Sequence, residues 1–269
     1  MSHLEARIVG VSVWGPGLEG WAASRAVLAG EADYIPADSP APAPAILAPN
    51  ERRRTGPVAR LALTVANDAV TMSGLLPASL RSVFASGNGD GPVVGSILED
   101  LTRDGAQGRL VSPTQFHNSV HNAAVGYWSI AIGSQLPTTC IAGHDFSWPA
   151  ALMIAMAELA EYGEPVLLCV YDHKMPPPLD AKRPIIAPFG VGLVLAPPAS
   201  GGGVAGIAVR YVAEPPTEAG VSSQSGLRAL AAGNPAARAL PLLETLARGG
   251  AASHAVAYLD GRLDVIVTP

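Results

Sequence analysis

The stretch TTCIAGHDFSWPAALMIAMAEL, Thr138–Leu159, carries a thiol through a turn of small residues into a long apolar segment. QLPTTCIA reads as a short strand. SWPAALMIAMAELAEYG reads as a helix apolar on nearly all sides, with Asp145 or Ser147 as N-cap, Pro149 in its first turn and Gly163 as its terminator. The reading turns on Cys140, which is either a nucleophile where strand hands over to helix or a filler inside the strand.

Outward from this stretch the pattern is layered. Upstream, NSVHNAAVGYWSIAIG is predicted as a buried helix of small residues, and downstream EPVLLCVYD is a continuous apolar run of the kind covered on both faces. Nearer the start, RIVGVSVW predicts a first strand, and Trp21 to Ala29 a helix. In VARLALTVANDAV, Val58, Leu61, Val65 and Ala69 fall on one helical stripe behind Pro57. A strand at Ser82 to Ala85, the loop SGNGDG and a helix from Pro92 to Leu101 follow. The Pro- and Ala-rich segment from Tyr34 to Asn50 predicts an extended surface loop. After the three prolines at Pro176 to Pro178, FGVGLVLA and GIAVRYVAE are strands, ALPLLETLARG a short helix, and HAVAYLDGRLDVIVTP a hairpin turning at Asp260-Gly261. Alternating strands and helices with apolar inner strands predict a layered α/β fold.

Composition narrows the function. The 269 residues, 49% of them hydrophobic, suffice for a large core. The mean hydropathy of +0.29 comes mostly from Ala and Val, and 25 prolines and 29 glycines interrupt it. The apolar helix at Pro149 to Leu159 is too short to cross a bilayer. MSHLEAR lacks the pattern of a signal peptide, so a cytoplasmic location is expected. A net charge of −5 gives no electrostatic reason to expect nucleic acid, which needs clustered Lys and Arg. The one basic run, Arg52-Arg53-Arg54, reads as the surface of a helix start. Two cysteines, Cys140 and Cys169, make no disulfide framework.

The order of elements, together with SPTQFHNSVHNAAVGYWSIAIG at Ser112 to Gly133, resembles the N-terminal half of a β-ketoacyl synthase. The SP-x-x-F-x-N-S-V-H-N-A-A-x-G pattern is similar to ketoacyl-synthase-like proteins of aryl polyene pigment clusters. The resemblance spans roughly Ile8 to Ala196 and implies a thiolase-like α/β/α fold. Residues 1–196 would be the family's N-terminal half, and 197–269 a shortened strand-helix-hairpin part.

In that family the nucleophilic cysteine sits on the strand-to-helix turn, favoured by the helix N-terminus. Aligned from Gly133 and Pro137, or counted back from Gly163, that place falls on Asp145 or Phe146. Both routes miss Cys140. An aspartate cannot replace the thiolate, because its acyl adduct would be an anhydride prone to hydrolysis. The family's two histidines, in HGT-like and NxFGFGG-like motifs, have no counterpart; after Ala196 only His254 remains. The resemblance therefore implies a degenerate synthase, a chain-length-factor-like partner of an active ketoacyl synthase, with an acyl carrier protein as a further partner. It implies contact with that partner through Leu136 to Ala142, including Leu136, Thr138 and Cys140. Thr114, Gln115, Phe116, His117 and Asn118 would reach the partner's acyl tunnel. The competing reading is a self-sufficient acyl-transfer or thioester-hydrolysing enzyme that uses Cys140 with His144.

Other signals have plainer readings. His117 and His121, four apart, would share a helix face as a metal pair can, but no third ligand accompanies them. SGNGDG contains G-x-G without the Lys-Ser/Thr end of a phosphate loop, and Asp90 would repel phosphate. No metal or cofactor is expected. Asp172 and His173 follow a buried strand, where open α/β sheets often carry chemistry; an exposed strand-end turn explains them equally well.

Overall fold

The computed structural model describes residues 3–103, 110–216, 220 and 222–269. Among them one nine-stranded sheet runs through the molecule. Its strands are β1 (Leu4–Gly15), β2 (Leu18–Glu19), β3 (Arg81–Ala85), β4 (Thr138–Ile141), β5 (Val166–Asp172), β6 (Phe189–Ala196), β7 (Ala205–Val212), β8 (Ala252–Tyr258) and β9 (Gly261–Thr268). They lie in the order β4-β3-β5-β6-β1-β7-β9-β8, with β2 paired to β1. The pairs β4-β3 and β3-β5 are parallel, whereas β6 joins β5 and β1 antiparallel. Every residue of β5 and β6 is buried; from Val166 to Tyr171 the apolar run of β5 predicts it.

Helices cover both faces, because alternate residues of the inner strands need apolar cover on each side. On one face lie α3 (Pro57–Ser73) and α6 (Ala123–Ile132), packed on Phe84, Leu167, Cys169, Tyr171 and Val194. On the other lie α1 (Trp21–Ala29), α7 (Ser147–Tyr162), α8 (Ser225–Gly233) and α9 (Leu240–Arg248), packed on Val83, Leu168, Val170 and the core of β1. This is the α/β/α layering the sequence implies. Three further helices, α2 (Pro49–Arg54), α4 (Gly91–Thr102) and α5 (Pro113–Asn118), flank these layers. The predicted stripe of α3 is buried throughout. Two strand glycines let it settle on the sheet: a Cβ on Gly10 would stand 2.1 Å from the Ala69 carbonyl oxygen, and one on Gly192 2.2 Å from that of Val65.

Several expectations are corrected. The helix expected over NSVHNAAVGYWSIAIG is broken: α5 ends at Asn118, a turn occupies 119–122, and α6 begins at Ala123. Asn118 enforces the break, since its buried side chain donates to the Arg54 carbonyl and accepts from the Tyr127 hydroxyl. His117 and His121 therefore do not share a helix face. The hairpin turns at Leu259-Asp260, one residue earlier than expected, with Leu259 left-handed at φ 53°. Gly261 is a strand residue, required because a Cβ there would lie 2.2 Å from the Val212 carbonyl oxygen of β7. Segments 1–196 and 197–269 share one sheet, since β1 pairs with both β6 and β7.

Candidate functional site at the strand-to-helix turn

The three parallel strands β4, β3 and β5 end side by side, and the segments leaving them converge. After β4 comes a single 3₁₀ turn, His144–Phe146, that runs straight into α7. Asp145 and Phe146 both lie on this turn, and its left-handed residue is His144 at φ 52°. That conformation is uncommon for a residue with a Cβ and marks a tight reversal. After β3, the Ser86–Asp90 loop folds over the end of β5.

An ion-pair and hydrogen-bond network holds these ends together, with Arg183 at its centre. Arg183 donates from Nε to Asn88 Oδ1 at 2.9 Å and from Nη1 to Asp145 Oδ1. Arg238 donates to the Asp145 backbone carbonyl and lies 3.9 Å from its carboxylate. Partial burial tends to raise the Asp145 carboxyl, but the Arg183 hydrogen bond and charge, reinforced by Arg238 and His144, outweigh it and hold the group below its usual range. No side chain caps α7: Asp145 is committed to the arginines, and Ser147 donates from Oγ to the His144 carbonyl. The expectation of either residue as N-cap is corrected accordingly.

Asp172 is wholly buried, not an exposed turn residue. Its Oδ1 accepts from Ser86 Oγ at 3.0 Å, Gly87 N at 2.8 Å and Asn88 N at 3.2 Å. Burial raises its carboxyl to about 6 against the pull of those hydrogen bonds and of Arg183. His173, next along, is held low by burial.

Cys140 sits in β4 with its side chain on the α3/α6 face of the sheet, whereas its neighbour Ile141 packs on the α7 face. It therefore points away from the helix whose N-terminus would favour a thiolate. His121 Nδ1 lies 3.1 Å from its sulfur, and His121 Nε2 lies 2.9 Å from the Ser86 carbonyl, to which it donates. Burial pushes the Cys140 thiol up to about 11. The pairing of Cys140 with His144 is corrected: His144 leaves the strand end for solvent, its side chain 71% exposed and its Nδ1 3.6 Å from Asp145.

The residues expected to meet a partner divide in two. Thr114, Phe116 and His117 are exposed on α5, and Phe116 is 68% exposed. Gln115 and Asn118 turn inward instead. Gln115 closes a capping box with Ser112 and donates to Ser96 on α4, while Asn118 holds the turn at 119–122. Among the described residues, strand β4, with Thr138 and Cys140, pairs only with β3 and forms one edge of the sheet, and Leu136 lies half-buried just before it. Among the described residues no three His, Cys, Asp or Glu side chains gather as metal ligands, and no helix is long and apolar enough to cross a membrane.

Sequence reasoning misses Arg183 and Arg238, which nothing near Asp145 in the chain announces. For His121 the sequence offers only the four-residue spacing from His117, which the turn at 119–122 removes.

A tight strand-to-helix turn at the ends of parallel strands, within an α/β/α sandwich, fits the thiolase-like fold. More particularly, the chain belongs to the family described as "Beta-ketoacyl synthase, N-terminal domain", whose model matches residues 22–254. A search of curated proteins returns no match. Among solved structures, the fold is similar to a "Ketosynthase (ApeO) in Complex with its Chain Length Factor (ApeC)" from Xenorhabdus doucetiae. That likeness has a TM-score of 0.71 and 20% identity over 97% of this chain and 98% of the other. It is also similar to "The ishigamide ketosynthase/chain length factor", with a TM-score of 0.69 and 16% identity over 97% and 98%. A type II polyketide ketosynthase bound to its acyl-carrier protein, AntDE:AntF, gives 0.62 and 12% over 78% and 70%. At these identities the likeness is one of fold.

Proposed function

We propose that this chain is a non-condensing member of its family, a chain-length-factor-like subunit that pairs with an active ketoacyl synthase in polyketide synthesis, with aryl polyene pigments as the product class. The observation that carries the reading is the strand-to-helix turn. His144, Asp145 and Phe146 occupy it, the Asp145 carboxylate is bound to Arg183, and the nearest thiol faces the other side of the sheet. An aspartate held ionised by two arginines is a poor nucleophile and a poor base. Acyl chemistry would then belong to a partner subunit, with an acyl carrier protein delivering to it.

Surface chemistry supports the same reading. The edge strand β4 carries no Lys or Glu to protect its unpaired backbone groups, and Ile130 on α6 is 80% exposed. An apolar edge of this kind suits a large, permanent interface. From α5, Phe116 stands free to project into a neighbouring tunnel and limit the length of the chain held there.

The test is co-expression with a complete ketoacyl synthase from the same genome. A stable heterodimer is expected, and Phe116→Ala should lengthen the products without stopping turnover. Separate elution at micromolar concentrations, or an unchanged product distribution in an active pair, would sink the proposal.

A further inference from the structure

A cleft of about 800 Å³ opens beyond β5, on the side of the sheet end away from the Asp145 turn, between the segment at 36–41, the first turn of α3 and the residues that follow β5. Its size is that of a small-molecule site. The floor and walls are largely apolar, built from Trp14, Leu61, Ala187, Pro188 and prolines of the 36–41 segment.

The cleft is held open by its own hydrogen bonds. Trp14 donates from Nε1 to the Ser39 carbonyl at 2.8 Å, and Gly17 N donates to the Ala37 carbonyl at 2.9 Å and to Ser39 Oγ at 3.2 Å. Gly17 must be glycine for this: its φ is +68°, and a Cβ would stand 2.2 Å from the Ile35 carbonyl oxygen. The 36–41 segment is thus a fixed wall.

Three basic side chains line this largely apolar space: Arg60, His173 and Lys174. Arg60 spends its Nε on the Thr55 carbonyl at 3.1 Å, which leaves its terminal nitrogens for other partners. Among the described residues, neither Arg60 nor Lys174 has a carboxylate within 4.0 Å. Asp38 is the one acid among the lining residues, so cations outnumber it. Burial holds His173 low, so it adds a hydrogen-bonding imidazole and not a third charge.

We propose that the cleft binds a small amphipathic anion, a carboxylate on a short apolar chain, with its head between Arg60 and Lys174 and its body against Trp14 and Leu61. A guanidinium offers a carboxylate two parallel N–H donors, and the apolar walls gain from covering hydrocarbon. An inorganic anion would leave most of the volume unfilled, and an uncharged lipid would leave both cations without a partner.

The full chain alone suffices for the test. Octanoate, 1-octanol and inorganic phosphate are titrated separately, followed by calorimetry and by tryptophan emission, with Trp14→Phe identifying the signal that comes from the cleft. Octanoate should bind at least tenfold more tightly than either probe. Lys174→Gln, at an exposed position that leaves the fold undisturbed, and Arg60→Gln should each weaken octanoate at least fivefold without changing octanol. Equal binding of octanoate and octanol, or octanoate affinity unmoved by both substitutions, overturns the proposal. Phosphate binding as tightly as octanoate overturns the assignment of an apolar body.

Discussion

The Cys140 sulfur lies 3.1 Å from Nδ1 of His121, and the same imidazole donates through Nε2 to the Ser86 carbonyl, so one side chain ties β4 to the end of β3. The pairing has the look of a thiol and its base, yet burial holds the thiol at about 11. A raised thiol pKa leaves only about one molecule in a thousand or fewer ionised near pH 8. Iodoacetamide should therefore label Cys140 slowly, at a rate that climbs with pH until about 11. Mass spectrometry after exposure to an acyl thioester should find Cys140 unmodified. Rapid stoichiometric labelling at pH 7 would contradict this and restore the self-sufficient enzyme.

Ile130 is the most exposed large apolar side chain of α6, next to the edge strand. Ile130→Asp should leave the isolated chain as stable as before, within about 0.5 kcal/mol, since surface changes away from special features cost little. In the heterodimer proposed above it would place a charge in an apolar interface. Affinity for the partner synthase should fall at least tenfold by calorimetry; unchanged affinity would place the interface elsewhere.

Asp172 makes a pH prediction whose sign follows from its raised carboxyl. Its folded value of about 6 lies above the ordinary 3.8, so its contribution to stability is complete below 3.8 and lost as pH rises through 6. Asp172→Asn lacks that dependence. Urea unfolding should show the stability of the native chain, relative to the variant, dropping by roughly 3 kcal/mol between pH 4 and pH 7, from about two pKa units at about 1.4 kcal/mol each. A constant or rising difference would mean the carboxylate is paired better than its burial suggests.

At Gly192 there is no room for a methyl group, because backbone and not a flexible side chain stands in the way. Gly192→Ala should cost about 1–3 kcal/mol or more, as α3 is forced off β6. Gly201→Ala, where a Cβ meets nothing within 4 Å, serves as the control. Equal denaturation midpoints for the two would refute the close approach.

Much of the sheet is legible in the sequence because β5 up to Tyr171 and β6 are continuous apolar runs, and α3 keeps a clean helical period. Asp145 and Phe146 lie on the turn, where the resemblance, aligned through Gly133, Pro137 and Gly163, puts the family's nucleophile position. What could not be read depends on contacts between distant residues. The break at 119–122 is set by Asn118 reaching Arg54, and the charge on Asp145 is settled by arginines at 183 and 238. The antiparallel direction of β6 is not legible, because burial on both faces gives the same apolar run whichever way the chain points.

The central strand β1 has a consequence for how the protein is made. Apart from the two-residue β2, its partners are β6 and β7, so the ribosome must add roughly 170 residues after Gly15 before the first of them begins. At about 5–20 residues per second, the newly made strand waits on the order of 10–30 seconds with its backbone donors and its Ile8, Val11 and Val13 side chains uncovered. Contacts this distant in sequence also slow the search itself. Soluble yield in a recombinant host should therefore depend on growth temperature and on chaperones that shelter nascent chains more than on the stability of the finished fold.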